Sequence, residues 1–224
     1  MLNQTLTLPA SPLVHRVRAG QGNAGTAPAL VLLHGVGSNE ADLIGIAERL
    51  DPRLTVVLAR GPLTFGPAQY GWFPVQFGPN GPVIDAELAE RSRRLLIDFL
   101  AALPAAYGVD AGKIVIAGFS QGGIMSAGVA LTQPDLVAGF GLLSGRILPE
   151  IEPLLAAPGQ LAGLRAFVSH GINDNVLPVA LGRRSQRLLG EWGVPLEYHE
   201  YPAGHEISRE MFEDFQRWLA FLIG

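Results

Sequence analysis

A serine set between glycines, Gly118-Phe119-Ser120-Gln121-Gly122, is the pattern in this chain best suited to chemistry. The apolar, β-branched run before it, residues 114–117, predicts a buried strand. After Gly123, the side chains of Ile124, Met125, Val129 and Leu131 among small residues predict a helix. A nucleophilic serine needs this strand–turn–helix setting, because the tight turn lifts its hydroxyl to the top of a sheet. Glycines at 118 and 122 leave room for the backbone to double back. The helix N-terminus offers free N–H groups and a dipole to a developing negative charge. A plain helix cap is the competing reading, since a chain with 28 glycines produces G-x-S-x-G by chance.

A serine hydroxyl is a weak nucleophile without a base, and the base needs an acid to orient it. The chain order Ser, Asp, His, each at a strand end, selects the partners. His205 lies in a glycine-flanked loop after the last predicted strand and is the predicted base. His199 alternates within that strand beside Glu197 and Glu200, and reads as decoration of one face. His170 closes a strand and reads as a packing or hydrogen-bonding residue. Asp174 lies in the loop after the penultimate strand, at the same end as His205, and is the predicted acid. Asp110 and Asp135 fall at the wrong end or side of the sheet.

An oxyanion needs two aimed N–H groups. Gln121 offers one, and the loop His34-Gly35-Val36-Gly37 offers the other, most naturally from Val36. A phosphate-binding turn is the alternative for that loop, but no G-x-G-x-x-G or Walker lysine accompanies it. His34, His170 and His205 are the candidate metal ligands. Without H-E-x-x-H or a close ligand pair, neither a metal nor a cofactor is expected.

The elements that must position these groups alternate along the chain. Strands are predicted at 29–33, 54–59, 114–117, 137–143, 165–169 and 196–201, with a hairpin near the N-terminus broken around Pro9 and Pro12. Helices are predicted at 40–50 (capped by Ser38 or Asn39), from Asp85 to about Tyr107 with Pro104 kinking or ending it, at 179–192 and at 206–222. Residues 147–158 read as irregular. Residues 63–82, dense in glycine, proline and aromatics, read as having no regular element. Their aromatics either wall a substrate cleft, with Phe65, Trp72 and Phe73 as binding residues, or pack across a sheet edge. The alternation predicts a single α/β domain over residues 1–224, a mainly parallel, doubly wound sheet with helices on both faces.

Composition excludes other classes. Net charge is −4 with no Lys/Arg block, which argues against nucleic acid. There is no cysteine, so no disulfide or thiolate nucleophile. No signal-peptide pattern opens the chain and no long apolar span follows, so a cytoplasmic protein without membrane insertion is expected.

Several stretches together resemble the phospholipase/carboxylesterase family of α/β-hydrolases, which includes acyl-protein thioesterases. They are LLHGVGSNEADL (32–43), IVIAGFSQGGIMS (114–126), LLSGRI (142–147), SHGINDNVLPV (169–179) and YPAGHEIS (201–208). The resemblance implies a triad of Ser120, Asp174 and His205, with the amides of Val36 and Gln121 as oxyanion hole. It also implies a small cytosolic esterase without a large lid, often dimeric. The apolar residues of 63–77 would give a homodimer its surface. Where the family carries an acid after an aromatic pair, this chain has Pro74 after Trp72-Phe73. The expected substrate is a short- to medium-chain carboxylic ester. An acyl thioester or lysophospholipid substrate, and a non-catalytic binding protein of the same fold, are the alternatives.

Overall fold

Strands without a polar face need cover on both sides, and the two most apolar runs, 29–33 and 114–117, lie side by side in the middle of the sheet. The computed structural model describes the chain except residues 1, 3, 9, 10, 22–24, 79 and 80. Pro9, one of the residues expected to break the N-terminal hairpin, lies outside the described residues. The elements run β1 (Leu6–Leu8), β2 (Ser11–Arg18), β3 (Ala27–Leu33), α1 (Ile44–Glu48), β4 (Thr55–Ala59), β5 (Leu63–Gly66), β6 (Gln69–Gly71), β7 (Val75–Gly78), β8 (Gly81–Ile84), α2 (Ala86–Tyr107) and β9 (Val109–Phe119). They continue with α3 (Gln121–Thr132), β10 (Gly139–Leu143), α4 (Pro158–Leu161), β11 (Ala166–Gly171), α5 (Ala180–Glu191), β12 (Leu196–Tyr201) and α6 (Arg209–Ile223).

The main sheet has the order β1-β2-β4-β3-β9-β10-β11-β12. From β4 to β12 neighbouring strands are parallel, and β1 and β2 run antiparallel at one edge. Side chains alternate between two cores, as the period of two requires. Ala29, Val31, Leu33, Ile114 and Ile116 join Leu96, Phe99 and Val129 of α2 and α3. Leu30, Leu32, Val115 and Ala117 join Ala47 of α1 and Phe215 and Trp218 of α6. Burying each large apolar side chain contributes roughly 1.5–3 kcal/mol. After β3 the chain winds to β4 on one side, and after β8 it returns through α2 to β9 on the other. The carboxyl ends of β3 and β9 therefore flank a switch point, where an open α/β sheet has its crevice.

Several boundaries differ from expectation. Residues 63–82 are not irregular: β5–β6 and β7–β8 are antiparallel hairpins. Two-stranded ribbons consist only of edge strands, so Pro82 is tolerated inside β8. The turn between β5 and β6 places Ala68 at φ 56. Asn39 caps a short 3-10 turn over Glu40–Leu43, and α1 occupies only part of the helix expected at 40–50. Helix α2 runs through Pro104 and ends where Gly108 adopts φ 61 and donates its N–H to Pro104 O. Helix α6 begins at Arg209 rather than 206, because Ser208 accepts a hydrogen bond from the Met211 N–H and fixes the N-terminus. Residues 147–158 contain a 3-10 turn over Pro149–Leu154.

His15 on β2 is buried against Phe99 and Tyr107. Its Nδ1 lies 3.0 Å from Leu13 O, so that nitrogen carries the proton, and Nε2 accepts from the Tyr107 hydroxyl. Burial holds its pKa, and that of His34, below the ordinary 6.5. Below that pH the unfolded chain binds protons the folded chain refuses, so stability falls as pH falls. The expected outcome is a melting temperature that drops between pH 8 and pH 5. His15→Gln should show a shallower drop than the wild type over the same range, by scanning calorimetry.

Candidate active site

Ser120 stands between β9 and α3 with φ 54 and ψ −118, a conformation L-residues avoid. Two close backbone approaches and two hydrogen bonds hold it there. A Cβ on Gly118 would lie 2.4 Å from Gly122 C, and one on Gly122 would lie 2.2 Å from Leu33 O. The Ser120 N–H donates to Leu143 O of β10 at 2.8 Å, and Ser120 O accepts the first bond of α3 from Ile124 at 3.0 Å. The elbow is thus locked to β3, β10 and its own helix.

Asp174 lies in the loop after β11, and His205 in the loop after β12. The Asp174 side chain is buried. Its Oδ1 accepts the amides of Val176 (2.9 Å) and Leu177 (2.8 Å), and its Oδ2 accepts His205 Nδ1–H at 2.7 Å. That bond leaves His205 Nε2 with its lone pair, 3.0 Å from Ser120 Oγ. The ring also packs on Phe119, centroids 4.8 Å apart. The structure therefore brings together the three residues expected from the sequence. His170 supports them from behind. Its Nε2–H donates to Leu177 O at 2.7 Å and lies 3.4 Å from Asp174 Oδ2. One residue, Leu177, is thus held at its carbonyl by His170 while its N–H donates to Asp174.

The loop after β3 closes a turn, with the Ser38 N–H donating to Gly35 O at 3.3 Å. Val36 is the first inner residue of this turn, whose amide takes no part in the turn's own bond. Gln121 opens α3, where no preceding helical carbonyl can accept its N–H. Both residues border Ser120. His34 is fixed neutral: Nδ1–H donates to Gly35 O (2.7 Å) and Nε2 accepts the Gly61 N–H (2.9 Å). Both of its nitrogens are thereby occupied. Buried Glu40 anchors the loop's far end between Arg16 and Arg60. Its burial raises the pKa, the two guanidinium groups outweigh this, and the carboxyl is held below its ordinary value. Among the described residues no group of three or more His, Cys, Asp or Glu is arranged to hold a metal ion.

The Gln121 side chain ties the segment between the two ribbons to the start of α3. Its Oε1 accepts the Trp72 N–H and its Nε2–H donates to Phe73 O, both at 2.7 Å. Phe73 then lines a pocket beside Ser120 with Val75, Pro82, Ile84, Ile124 and Leu177. Trp72 differs from its expected place: it is 0% exposed, its Nε1–H bonds to His34 O, and it borders no pocket at the serine. It supports the wall from inside. Phe65 differs too, since it lies 45% exposed on the first hairpin, against Gly71, and lines neither hollow at Ser120. A second hollow of about 480 Å³ opens on the other side of Ser120, lined by His34, Asp42, Phe119, His205 and Glu206. The sequence had not singled out Arg146, Ile124 or Leu177 as pocket residues. Their only signal was membership in the stretches 142–147, 114–126 and 169–179.

The profile of the Phospholipase/Carboxylesterase family matches residues 17–223. The chain belongs to this family. Acyl-protein thioesterase 1 of Emericella nidulans is 26% identical over 219 residues, covering 85% of this chain and 88% of that relative. Carboxylesterase SOBER1 of Arabidopsis thaliana is 26% identical over 160 residues, 69% of this chain and 68% of that protein. The crystal structure of the Bacillus cereus carboxylesterase superposes with a TM-score of 0.81 at 25% identity, covering 94% of this chain and 95% of that one. The sheet is accordingly that of an α/β-hydrolase, and the family member is a hydrolase acting on esters. Among the described residues no helix is long and apolar enough to cross a membrane.

The elbow's packing makes a sharp contrast between two glycines. Gly122→Ala forces a methyl group into Leu33 O and should cost about 1–3 kcal/mol or more, with loss of ester hydrolysis. Gly45→Ala, in α1, adds a methyl that meets nothing within 4 Å and should stabilise by about 0.4–1 kcal/mol. Urea unfolding of both variants measures the difference.

Proposed function

We propose that the chain is a serine carboxylesterase acting on short- to medium-chain carboxylic esters through Ser120, His205 and Asp174. The observation that carries this is the unbroken run of hydrogen bonds, Ser120 Oγ to His205 Nε2 at 3.0 Å and His205 Nδ1 to Asp174 Oδ2 at 2.7 Å. In this reading His205 Nε2 takes the Ser120 proton as Oγ attacks the ester carbonyl. The amides of Val36 and Gln121 meet the oxyanion. His205 returns the proton to the leaving alcohol, and a water deprotonated by His205 then releases the acid. The leaving group must be within reach of His205. It therefore occupies the hollow that His205 lines, and the acyl group occupies the pocket of Phe73, Ile84 and Leu177. The substrate is a small ester, the cellular setting cytoplasmic, and Phe65 the exposed apolar residue available to a homodimer.

The acyl pocket is narrow, with free space of about 20 Å³. Ile124 stands in its wall and also in the wall of a further hollow of about 300 Å³ between α2, α3 and the 149–154 turn. This geometry favours short acyl groups. Acyl thioesters and lysophospholipids remain the second reading, because relatives carry the names acyl-protein thioesterase 1 and lysophospholipase-like protein 1.

On a p-nitrophenyl ester series from acetate to palmitate, activity should peak at short chains. Ser120→Ala should lower kcat by about 10⁴–10⁶-fold and Asp174→Asn by roughly 10⁴-fold, with unchanged circular dichroism. Rates that survive Ser120→Ala would end the triad reading, and failure to label with a fluorophosphonate would favour a binding protein. Thioester and lysolipid rates measured beside oxyesters separate the second reading. Ile124→Ala should move the optimum toward longer chains by joining the two hollows; an unmoved optimum would remove Ile124 from the acyl wall.

A further inference from the structure

Among the described residues lining the acyl pocket, Arg146 is the one charged side chain. Among the described residues no carboxylate forms an ion pair with it. Its Nε is buried without a hydrogen-bond partner, and its Nη2–H makes one long bond, 3.5 Å to Pro82 O. Burial lowers its pKa from the ordinary value. Glu150 attracts it from a distance and Arg184 repels it. A guanidinium stays charged at any physiological pH, so the desolvation is borne by a cation.

The backbone that carries Arg146 is fixed with unusual care. Ser144 adopts φ 50, one of three non-glycine residues among those described with positive φ, another being Ser120 on the adjacent strand. The Ser144 N–H donates to Ser169 O at 2.8 Å, and the Ile147 N–H to Ser185 Oγ at 3.0 Å. Between them, Gly145 lies so close that a Cβ there would stand 3.0 Å from Ser120 O. The left-handed turn at Ser144 therefore folds the chain over the elbow and delivers the next side chain but one into the acyl pocket. Strained backbone of this kind persists where surrounding structure enforces it, and it concentrates at ligand sites. Arg146 is part-buried with its Nε enclosed; charged groups withdrawn from water are ordinarily paired, and a guanidinium fork matches a carboxylate in two-point contact.

We propose that Arg146 binds a free carboxylate at the far end of the acyl group, making half-esters of short dicarboxylic acids the preferred substrates. This rests on Ser120 being the nucleophile: the ester carbonyl sits at Ser120 and the carboxylate at the guanidinium. The narrow pocket sets the acid's length to a few carbons. Hydrolysis of such a half-ester consumes one water and releases an alcohol, a dicarboxylate and one proton.

The test compares monoethyl glutarate with ethyl valerate, which has the same chain length and no charge, by pH-stat. The wild type should favour the half-ester in kcat/KM. In Arg146→Met the ratio of the two should fall about 10–100-fold, the size expected for losing a charged hydrogen bond, and Arg146→Lys should recover part of it. A wild-type preference for ethyl valerate, or a ratio untouched by Arg146→Met, overturns the proposal. Calorimetric titration of glutarate against butyrate into the Ser120→Ala protein reads the same site without turnover. Glutarate binding that Arg146→Met abolishes supports the proposal, and no advantage of glutarate over butyrate overturns it. If Ser120→Ala hydrolysed the half-ester at the wild-type rate, the nucleophile assignment would fall, while the titration would still judge Arg146.

Discussion

Two backbones must touch where β3 ends and α3 begins, and most of the site follows from that contact. With only 2.2 Å between Leu33 O and the place a Cβ on Gly122 would occupy, the first turn of α3 lies directly on the strand end. The helix cannot retreat, so Ser120 takes up the bend at φ 54 and its hydroxyl is pushed above the sheet. The same contact brings the 34–37 loop beside the N-terminus of α3. Val36 and Gln121, from two distant parts of the chain, then line one pocket with Ser120. A larger residue at 118 or 122 would relax the bend and separate them, displacing Ser120 at the same time.

Backbone carbonyls decide what the histidines can do. In His15, His34 and His170 one nitrogen faces a carbonyl, of Leu13, Gly35 and Leu177 respectively, and must carry the proton. His199 lies at the edge strand between Glu197 and Asp214. His205 alone among the described histidines faces a carboxylate on one side and a hydroxyl on the other. Five similar side chains are thereby sorted into structural and reactive ones by what stands opposite each nitrogen, with no difference in residue type.

Much of this was legible in the sequence where function is written into local chain geometry. The elbow, the strand-end loops and the order Ser120, Asp174, His205 are local features, and parallel topology then places all three at one end of the sheet. Residues 63–82 were misread because breaker residues there mark hairpin turns, and a two-stranded ribbon leaves no hydrophobic alternation strong enough to see. Trp72 and Phe65 were placed at the cleft because they are aromatic residues of a loop that follows a parallel strand, with packing across the sheet edge as the alternative. Which of two adjacent aromatics faces inward depends on the Gln121 hydrogen bonds, which join residues 49 and 48 apart. Arg146 was invisible for a similar reason: nothing in Ser144-Gly145-Arg146 announces the left-handed turn that aims it.

Gln121 grips Trp72 and Phe73 with its side chain, and its main chain forms the step after Ser120. The pocket's movable-looking wall is therefore bolted to the residue that follows Ser120. Swinging the ribbon outward for a bulky guest would drag the first turn of α3 with it and spoil the reactive geometry. Evolution on this scaffold has to resize the cleft by trading lining side chains, such as those at 75, 82, 84 and 124, whereas a hinged flap would let size and reactivity drift apart.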